Sequence, residues 1–267
     1  MKRIAAIFLA LICLVSAAGC GSAASSETTV STASTASETA SGATTSAQTA
    51  SLATPQLDPA EVITARQLVP AGAQTFDVDA ALRAEYFDYF APGYAYLMPR
   101  TDFASTADIT DDDMVRFAVK AADYLAYTPM TGLTILEYNA VQYACLKYLN
   151  TQISDLNAVT TYTLDPVNYH FIDSARFGAF YYFYRLEELS VDAAGVYTGV
   201  FRVYQKGFAT PDDYDAFLDQ ARQDLTAGQP DETVYKPFST VTLQFVKMQE
   251  EDGTVYYRYE SLHTEKE

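Results

Sequence analysis

The sequence predicts an α+β fold, in which N-terminal helices pack on a curved antiparallel sheet made of two C-terminal hairpins, with one inserted helix. Three observations support this prediction. Apolar residues recur at three- and four-residue steps between residues 77 and 152, which is the period of amphipathic helices. Later segments are rich in aromatic and β-branched residues and are separated by turn sequences. Helices that precede a run of strands are typical of α+β domains.

The first two predicted helices cover residues 77–90 and 110–127. The earlier one ends before Pro92, and its apolar face carries Leu82, Tyr86, Tyr89 and Phe90. Thr110 can cap the later one, and the three aspartates that follow favour the positive end of its dipole. Its apolar face carries Met114, Phe117, Ala118, Ala121 and Leu125.

A third helix is predicted over residues 134–152, where Thr134 and Glu137 have the spacing of a capping box. Its expected core face carries Val141, Cys145, Tyr148 and Leu149. A buried free cysteine behaves as a small hydrophobe. Cys145 is therefore assigned to the core, not to a catalytic site, since the chain holds only two histidines that could activate a thiol.

The second half of the chain predicts two hairpins with a helix between them. Pro at the start of the helix and Gly beyond its end match the preferences of helix termini, and turns containing glycine separate the paired strands. The elements in order are strand 177–189, strand 195–206, helix 211–228, strand 238–248 and strand 254–262.

The first strand carries aromatic side chains on both faces, with Tyr181 and Phe183 alternating with their neighbours. An antiparallel sheet needs only one apolar face. Two alternatives remain open. Helices or the 57–100 segment cover the second face, or that face is exposed and binds a sugar, a peptide or a partner protein through its tyrosines.

Two further residues are candidates for a binding site. His170 precedes the first strand and is either a structural histidine or part of a pocket. Glu187 lies near the end of that strand, either solvated or at a pocket mouth. The acidic runs at 111–113 and 212–213 occupy predicted helix starts, where negative charge is stabilising. No spacing typical of a metal or cofactor site occurs, so none is expected.

The N-terminus predicts export. Lys2 and Arg3 precede an apolar run that ends in small residues at 17–19, which is the pattern of a secretory signal peptide. Residues 20–56 are dominated by Ser, Thr and Ala and bury too little apolar surface to fold. We therefore predict a signal peptide over 1–19, a disordered stalk over 20–56 and one globular domain over 57–267.

The sequence Ala17-Ala18-Gly19-Cys20 resembles the lipobox of bacterial lipoproteins, although that family usually has leucine where Ala17 stands. The resemblance implies that Cys20 becomes the acylated first residue and anchors the chain to the bacterial cell membrane from the extracytoplasmic side. The alternative is an ordinary signal peptide in which Cys20 has no special role. The resemblance covers residues 1–22 and says nothing about activity.

The strongly negative net charge of the chain argues against nucleic acids as partners. The formal net charge is −17, and removal of Lys2 and Arg3 with the signal peptide takes it to −19. Nucleic acids and anionic lipid headgroups require basic contacts, so nucleic-acid binding is not expected.

The order of elements resembles NTF2-like and cystatin-like domains, with the helix at 211–228 as an insertion. That likeness is one of fold alone.

Three functions remain after these exclusions. The first is a non-enzymatic envelope module that binds a glycan, a peptide or an envelope protein. The second is an enzyme with an NTF2-like cone pocket built from scattered residues. The third is a passive structural protein of the envelope.

Overall fold

The α+β prediction is confirmed by the structure, a computed structural model that describes seven parts of the chain: residues 52–90, 97–126, 133–162, 164–165, 170–174, 180–207 and 214–267. The predicted signal peptide, Cys20 and the stalk up to residue 51 lie outside these parts. Within them, no helix combines the length and apolar character needed to cross a membrane.

Helices and strands alternate irregularly in the first half, and strands dominate the second. The described helices are α1 Pro59–Val62, α2 Ala80–Phe90, α3 Asp111–Ala126, α4 Tyr138–Leu149 and α5 Tyr214–Thr226. The described strands are β1 Arg66–Gln67, β2 Gln74–Thr75, β3 Leu133–Glu137, β4 Leu164–Asp165, β5 His170–Ser174, β6 Phe180–Val191, β7 Val196–Gly207, β8 Lys236–Gln249 and β9 Val255–Lys266.

The main sheet is antiparallel and follows the predicted hairpins. Strands β6 and β7 pair directly, β7 pairs with β8 across the inserted α5, and β8 pairs with β9. Gly195 and Gly253 have φ of 83° and 90° at the two hairpin turns, a region in which glycine has no steric penalty. The short strand β2 extends the β6 edge, and β1 pairs with the end of β8.

Three bulges interrupt the register of the main sheet. They lie between Leu186 and Glu188, next to Val203 and next to Phe245. A bulge bends its strand and increases the local twist, so these three positions are where the strands of the main sheet bend.

One face of the sheet carries the larger core, which is built around α2. The ring of Tyr86 lies 5.8 Å from that of Phe201 and 6.0 Å from that of Phe245. Phe90 lies 5.4 Å from Phe201 and 6.0 Å from Tyr257. Aromatic pairs at these separations add to the free energy gained from burial of their area.

A second, smaller core lies on the opposite face, under α5. Tyr181 and Phe183 contact Phe217 of α5, with ring separations of 5.1 and 5.6 Å. Phe87 from α2 stacks on Phe183 at 5.8 Å. Of the two alternatives for the aromatic strand, the structure therefore has the covered one: the inserted helix buries the second face.

The predicted helix over 134–152 requires a correction. Leu133–Glu137 is the strand β3, which pairs antiparallel with β5, and the helix begins only at Tyr138. Glu137 occupies the N-cap position without a side-chain hydrogen bond, so the capping box is not formed. The strand forms because β5 supplies a hydrogen-bonding partner some 35 residues later, which a local pattern cannot reveal.

The predicted boundary between stalk and domain also lies too late in the chain. The carbonyl oxygen of Pro55 accepts hydrogen bonds from the Tyr138 hydroxyl over 2.9 Å and from the Gln142 amide over 3.2 Å. Leu156 N–H donates to Thr54 Oγ1 over 3.0 Å. Residues 52–56, assigned to the stalk from composition, are thus hydrogen-bonded to the folded domain.

Candidate functional site

A small cleft lies where the segment 97–109 meets α3 and the end of α4. The segment is fastened to the edge of the main sheet, because Phe103 and Leu262 exchange two backbone hydrogen bonds of 2.9 Å. The Tyr259 hydroxyl also donates to the Leu97 carbonyl oxygen. These bonds hold one wall of the cleft against a fixed strand.

The opposite wall is one side of α3. Asp113, Arg116, Phe117 and Lys120 occupy positions i, i+3, i+4 and i+7, so they lie along one stripe of the helix. Thr110 caps this helix as predicted: its hydroxyl accepts from the Asp113 amide over 3.2 Å and donates to the Asp113 carboxylate over 2.8 Å.

The interior of the cleft is apolar, and its volume is about 110 Å³. Met98 and Phe103 are buried parts of the large core as well as lining residues. The other apolar lining residues are Pro99, Ile109, Phe117, Leu149 and the ring of Tyr162. An apolar cavity with a few polar groups at its mouth is the usual form of a small-molecule site.

Three cations stand at this cleft: Arg100, Arg116 and Lys120. The chain has 17 basic residues against 34 acidic ones, so three basic side chains around one cavity form a local inversion of the overall charge. Arg116 donates to the Asp112 carboxylate over 3.2 Å and to the Thr161 hydroxyl over 3.1 Å. Among the residues that the structure describes, Arg100 has no ion-pair partner.

The one described acid among the lining residues is Asp113, and its oxygens are already engaged. One accepts from the Thr101 hydroxyl over 3.1 Å and the other from the Thr110 hydroxyl over 2.8 Å. These hydroxyls orient the carboxylate and leave its charge in place. Among the charged residues that line the cleft, three basic side chains therefore stand against this one acid.

The other two aspartates of the acidic run hold neighbouring loops. Asp111 accepts from the Ser154 and Asp155 amides, both over 2.8 Å. Asp112 accepts from the amides of Thr160 and Thr161 over 2.7 and 2.8 Å. The sequence explained this run by the helix dipole alone. In the structure each carboxylate also ties a different segment to α3.

Hydrogen bonding changes the acidity of one of them. The Thr161 hydroxyl, followed by the backbone amides of Thr160 and Thr161, holds the pKa of Asp112 well below its usual range. Donors that stabilise a carboxylate act in this direction. Asp112 therefore stays charged, holds the 160–161 loop and orients Arg116 at the cleft.

The residues singled out from sequence do not meet at this cleft. Tyr181 and Phe183 are 6% and 2% exposed in the core under α5. Glu187 pairs with the buried Arg185 and lies 3.9 Å from Arg83, which places it in an ion-pair cluster on the sheet. His170 is the first residue of β5, and its side chain lies outside the described part.

Cys145 is fully buried in the large core, and burial raises the pKa of its thiol. This agrees with the assignment of the residue to the core. In the residues described, no group of three or more histidine, cysteine and acidic side chains is arranged to hold a metal ion.

A polar cluster of Asp102, Ser261 and His263 lies near the cleft. His263 Nδ1 lies 3.4 Å from the Asp102 carboxylate, and Ser261 is two residues away on the same strand. The Ser261 hydroxyl, however, donates to Gln244 over 2.9 Å. The histidine side chain is 67% exposed, so the cluster has neither the nucleophile–base hydrogen bond nor the enclosure of a triad.

Sequence reasoning missed the cleft. A usable signal was present in Arg116 and Lys120, which are four residues apart on either side of Phe117 in the predicted helix over 110–127. Arg100 and Leu149 carried no such signal, because only the fold brings them to that stripe of α3.

Comparison with known proteins adds no further information about the site. No family model, curated protein or solved structure matches this chain.

Proposed function

We propose that this chain is a lipid-anchored, extracytoplasmic binding module that takes up a small ligand in the cleft between the 97–109 segment and α3, without chemical conversion. Anchoring is supported by the signal-peptide pattern and by the resemblance of Ala17–Cys20 to a lipobox. Ligand binding is supported by the cleft itself.

The observation that carries this proposal is the combination of apolar walls with unevenly distributed charge. Apolar walls stabilise a ligand through the area they remove from water, and polar groups at the mouth fix its orientation. The acid at the cleft is engaged by hydroxyls, whereas Arg100 has no described ion-pair partner. These features suit recognition better than acid–base chemistry, which needs a titratable group free to exchange a proton with the substrate.

The other proposals from the sequence rank below this one. A glycan or a peptide could present a terminal group of suitable size to the cleft, whereas the tyrosine-rich strand is occupied by α5. The likeness in element order to NTF2-like domains remains a proposal about fold alone. The cleft lies between the 97–109 segment, α3 and the edge of the sheet, so the binding proposal does not depend on that likeness.

The chain contains no tryptophan, which allows a sharp test. The variant Tyr162→Trp places a single tryptophan at the rim of the cleft and keeps an aromatic ring there. Full-length protein carrying this change is titrated with hexanoate, 1-hexanol and hexylamine. Saturable change in tryptophan emission with at least one probe is expected, since each carries an apolar tail that fits the cleft.

A blocking variant gives the control. Ile109→Trp in the otherwise wild-type chain fills the cleft with the larger ring, and calorimetric binding of the same probes should be lost. Val69→Trp, at a side chain that is 59% exposed and away from the cleft lining, should bind as wild type does. Absence of saturable binding for all three probes would reject the proposal.

Anchoring is tested separately by Cys20→Ala in the native host. Acylated Cys20 as the first residue is expected by mass spectrometry of the wild-type protein, and release from the membrane fraction is expected for the variant. An unmodified Cys20 in the membrane-bound protein would reject the anchor while leaving the binding proposal open to its own test.

A further inference from the structure

We propose that the cleft selects amphiphilic anions: molecules with a short apolar tail and an oxyanion head, such as a carboxylate or a phosphate ester. This inference rests on the proposed binding function and specifies its ligand class. The tail enters between α3 and the 97–109 segment, and the head meets the cations at the mouth.

The volume of the cleft limits the tail. A cavity of about 150 Å³ lined by apolar side chains admits benzene, and this cleft is smaller, at about 110 Å³. It accommodates a linear or branched group of roughly four to six carbons. Each added methylene buried in such a site raises affinity by about fourfold. Affinity should therefore rise along a chain-length series and level off when the tail outgrows the cleft.

The head is selected by Arg100, which is exposed and has no ion-pair partner among the described residues. A guanidinium offers planar, bidentate donors that match carboxylate and phosphate oxygens. Lys120 and Arg116 lie one helical turn apart on the other side of the cleft, so an anion at the mouth is approached by positive charge from both walls.

The surroundings strengthen the preference for an anion. Both nearby carboxylates already have partners. Asp113 accepts hydrogen bonds from two threonine hydroxyls. Asp112 accepts them from the 160–161 loop and from Arg116. The rest of the chain is strongly acidic and repels anions elsewhere on its surface. Basic side chains outnumber acidic ones among the lining residues, so a cationic ligand should bind worst.

The experiment uses the full-length Tyr162→Trp reporter and four probes with the same tail: hexanoate, hexyl phosphate, 1-hexanol and hexylamine. The two anions should bind at least tenfold more tightly than 1-hexanol, and hexylamine should bind most weakly. The ratio of the two anions shows whether a carboxylate or a phosphate is preferred. The advantage of the anions should shrink as NaCl is raised, because exposed charges are screened.

Arg100→Gln in the same reporter should lower affinity for hexanoate at least tenfold and leave that for 1-hexanol unchanged. Arg66→Gln, at an exposed arginine on β1 away from the cleft, is the charge-matched control and should change neither. Unfolding midpoints of both variants, measured in urea, establish that each is folded.

The outcomes separate the two proposals. If 1-hexanol or hexylamine binds as tightly as the anions, or if Arg100→Gln leaves hexanoate binding unchanged, the cleft binds ligands but the anion inference is overturned. If none of the probes binds, the proposed function fails and this inference fails with it.

Discussion

The guanidinium of Arg185 lies beneath the C-terminal end of α5, where its Nε donates to the carbonyl oxygen of Leu225 over 3.0 Å. The same side chain donates to the Gly228 carbonyl oxygen over 2.8 Å and pairs with Glu187. It is 3% exposed. A strand residue thereby donates to one of the carbonyl groups that every helix leaves unpaired at its end, that of Leu225, and to the Gly228 carbonyl just beyond the helix. It fastens the inserted helix to the sheet.

We predict that Arg185→Met destabilises the protein by about 3 kcal/mol, because the buried Leu225 carbonyl oxygen loses its donor and the Glu187 carboxylate loses its hydrogen-bonded arginine. Urea unfolding followed by circular dichroism measures the change. Arg222→Met removes an exposed arginine that pairs with Asp88, and it should cost less than about 1 kcal/mol. Equal effects of the two changes would show that Arg185 does not hold α5.

A second prediction concerns the segment that precedes the first helix. Gln142 is fully buried, and its Oε1 accepts from the Ile153 amide over 2.9 Å while its Nε2 reaches the Pro55 carbonyl oxygen. Gln142→Leu keeps the volume but leaves the buried Ile153 amide unpaired and removes one of the two donors to the Pro55 carbonyl oxygen. Stability should therefore fall by about 1–3 kcal/mol. Hydrogen exchange across residues 52–57 should also become faster.

The matched control for this change is Gln223→Leu, at an exposed position on α5. Its effect should stay within about 0.5 kcal/mol. If the buried and exposed glutamines prove equally dispensable, or if exchange across residues 52–57 does not change, the segment is not held by Gln142.

The third prediction is a pH dependence at Asp112. Its pKa is lowered in the folded state by the Thr161 hydroxyl and by neighbouring amides. Its contribution to stability is therefore fully present above the unfolded value of about 3.9 and is lost as the pH falls towards the folded pKa. The unfolding midpoint of Asp112→Asn should lie below that of wild type at pH 7, and the gap should narrow below about pH 4.

Urea titrations at a series of pH values between 7 and 3 measure this gap. Glu251→Gln, at an exposed turn residue, serves as the comparison and should show no such gap at any pH. A gap at Asp112 that is constant with pH would mean that the carboxylate charge is not what holds the 160–161 loop.

The fourth prediction concerns Cys145. Burial raises the pKa of its thiol and removes it from solvent, and the thiolate is the reactive form. In folded protein at pH 8, iodoacetamide should leave the peptide containing Cys145 unmodified, whereas in urea it should be modified completely. Mass spectrometry of the digested chain identifies the peptide that contains Cys145, so its modification is measured separately from that of any other cysteine. Rapid modification of the folded protein would contradict the assignment to the core.

The helices and hairpins were predictable because their signals are local. The apolar face of α3 and the glycines at 195 and 253 act within a few residues of where they stand. The structure accordingly places Met114, Phe117 and Ala118 in the core. The local pattern gave the wrong prediction at 133–137. A capping-box spacing predicted the start of a helix there, but the segment forms the strand β3 and pairs with β5.

The candidate site was beyond local patterns for a different reason. Asp111 holds Ser154 from 43 positions away along the chain, and Arg185 holds Leu225 from 40 positions away. Such pairs depend on which elements become neighbours in the folded chain, and local patterns in a single sequence do not predict that. Glu187 illustrates the consequence: its position suggested a pocket mouth, and the structure gives it a buried arginine as partner.

By itself, the sequence determined the fold class, the two C-terminal hairpins with their inserted helix and the buried face of α3, because periodicity and turn residues constrain the chain over short windows. Only the tertiary structure decided that α5 covers the aromatic strand and that Arg100, Arg116 and Lys120 surround one cleft. The physical reason is that burial and charge at a site are sums over residues that are distant in sequence and become neighbours only on folding.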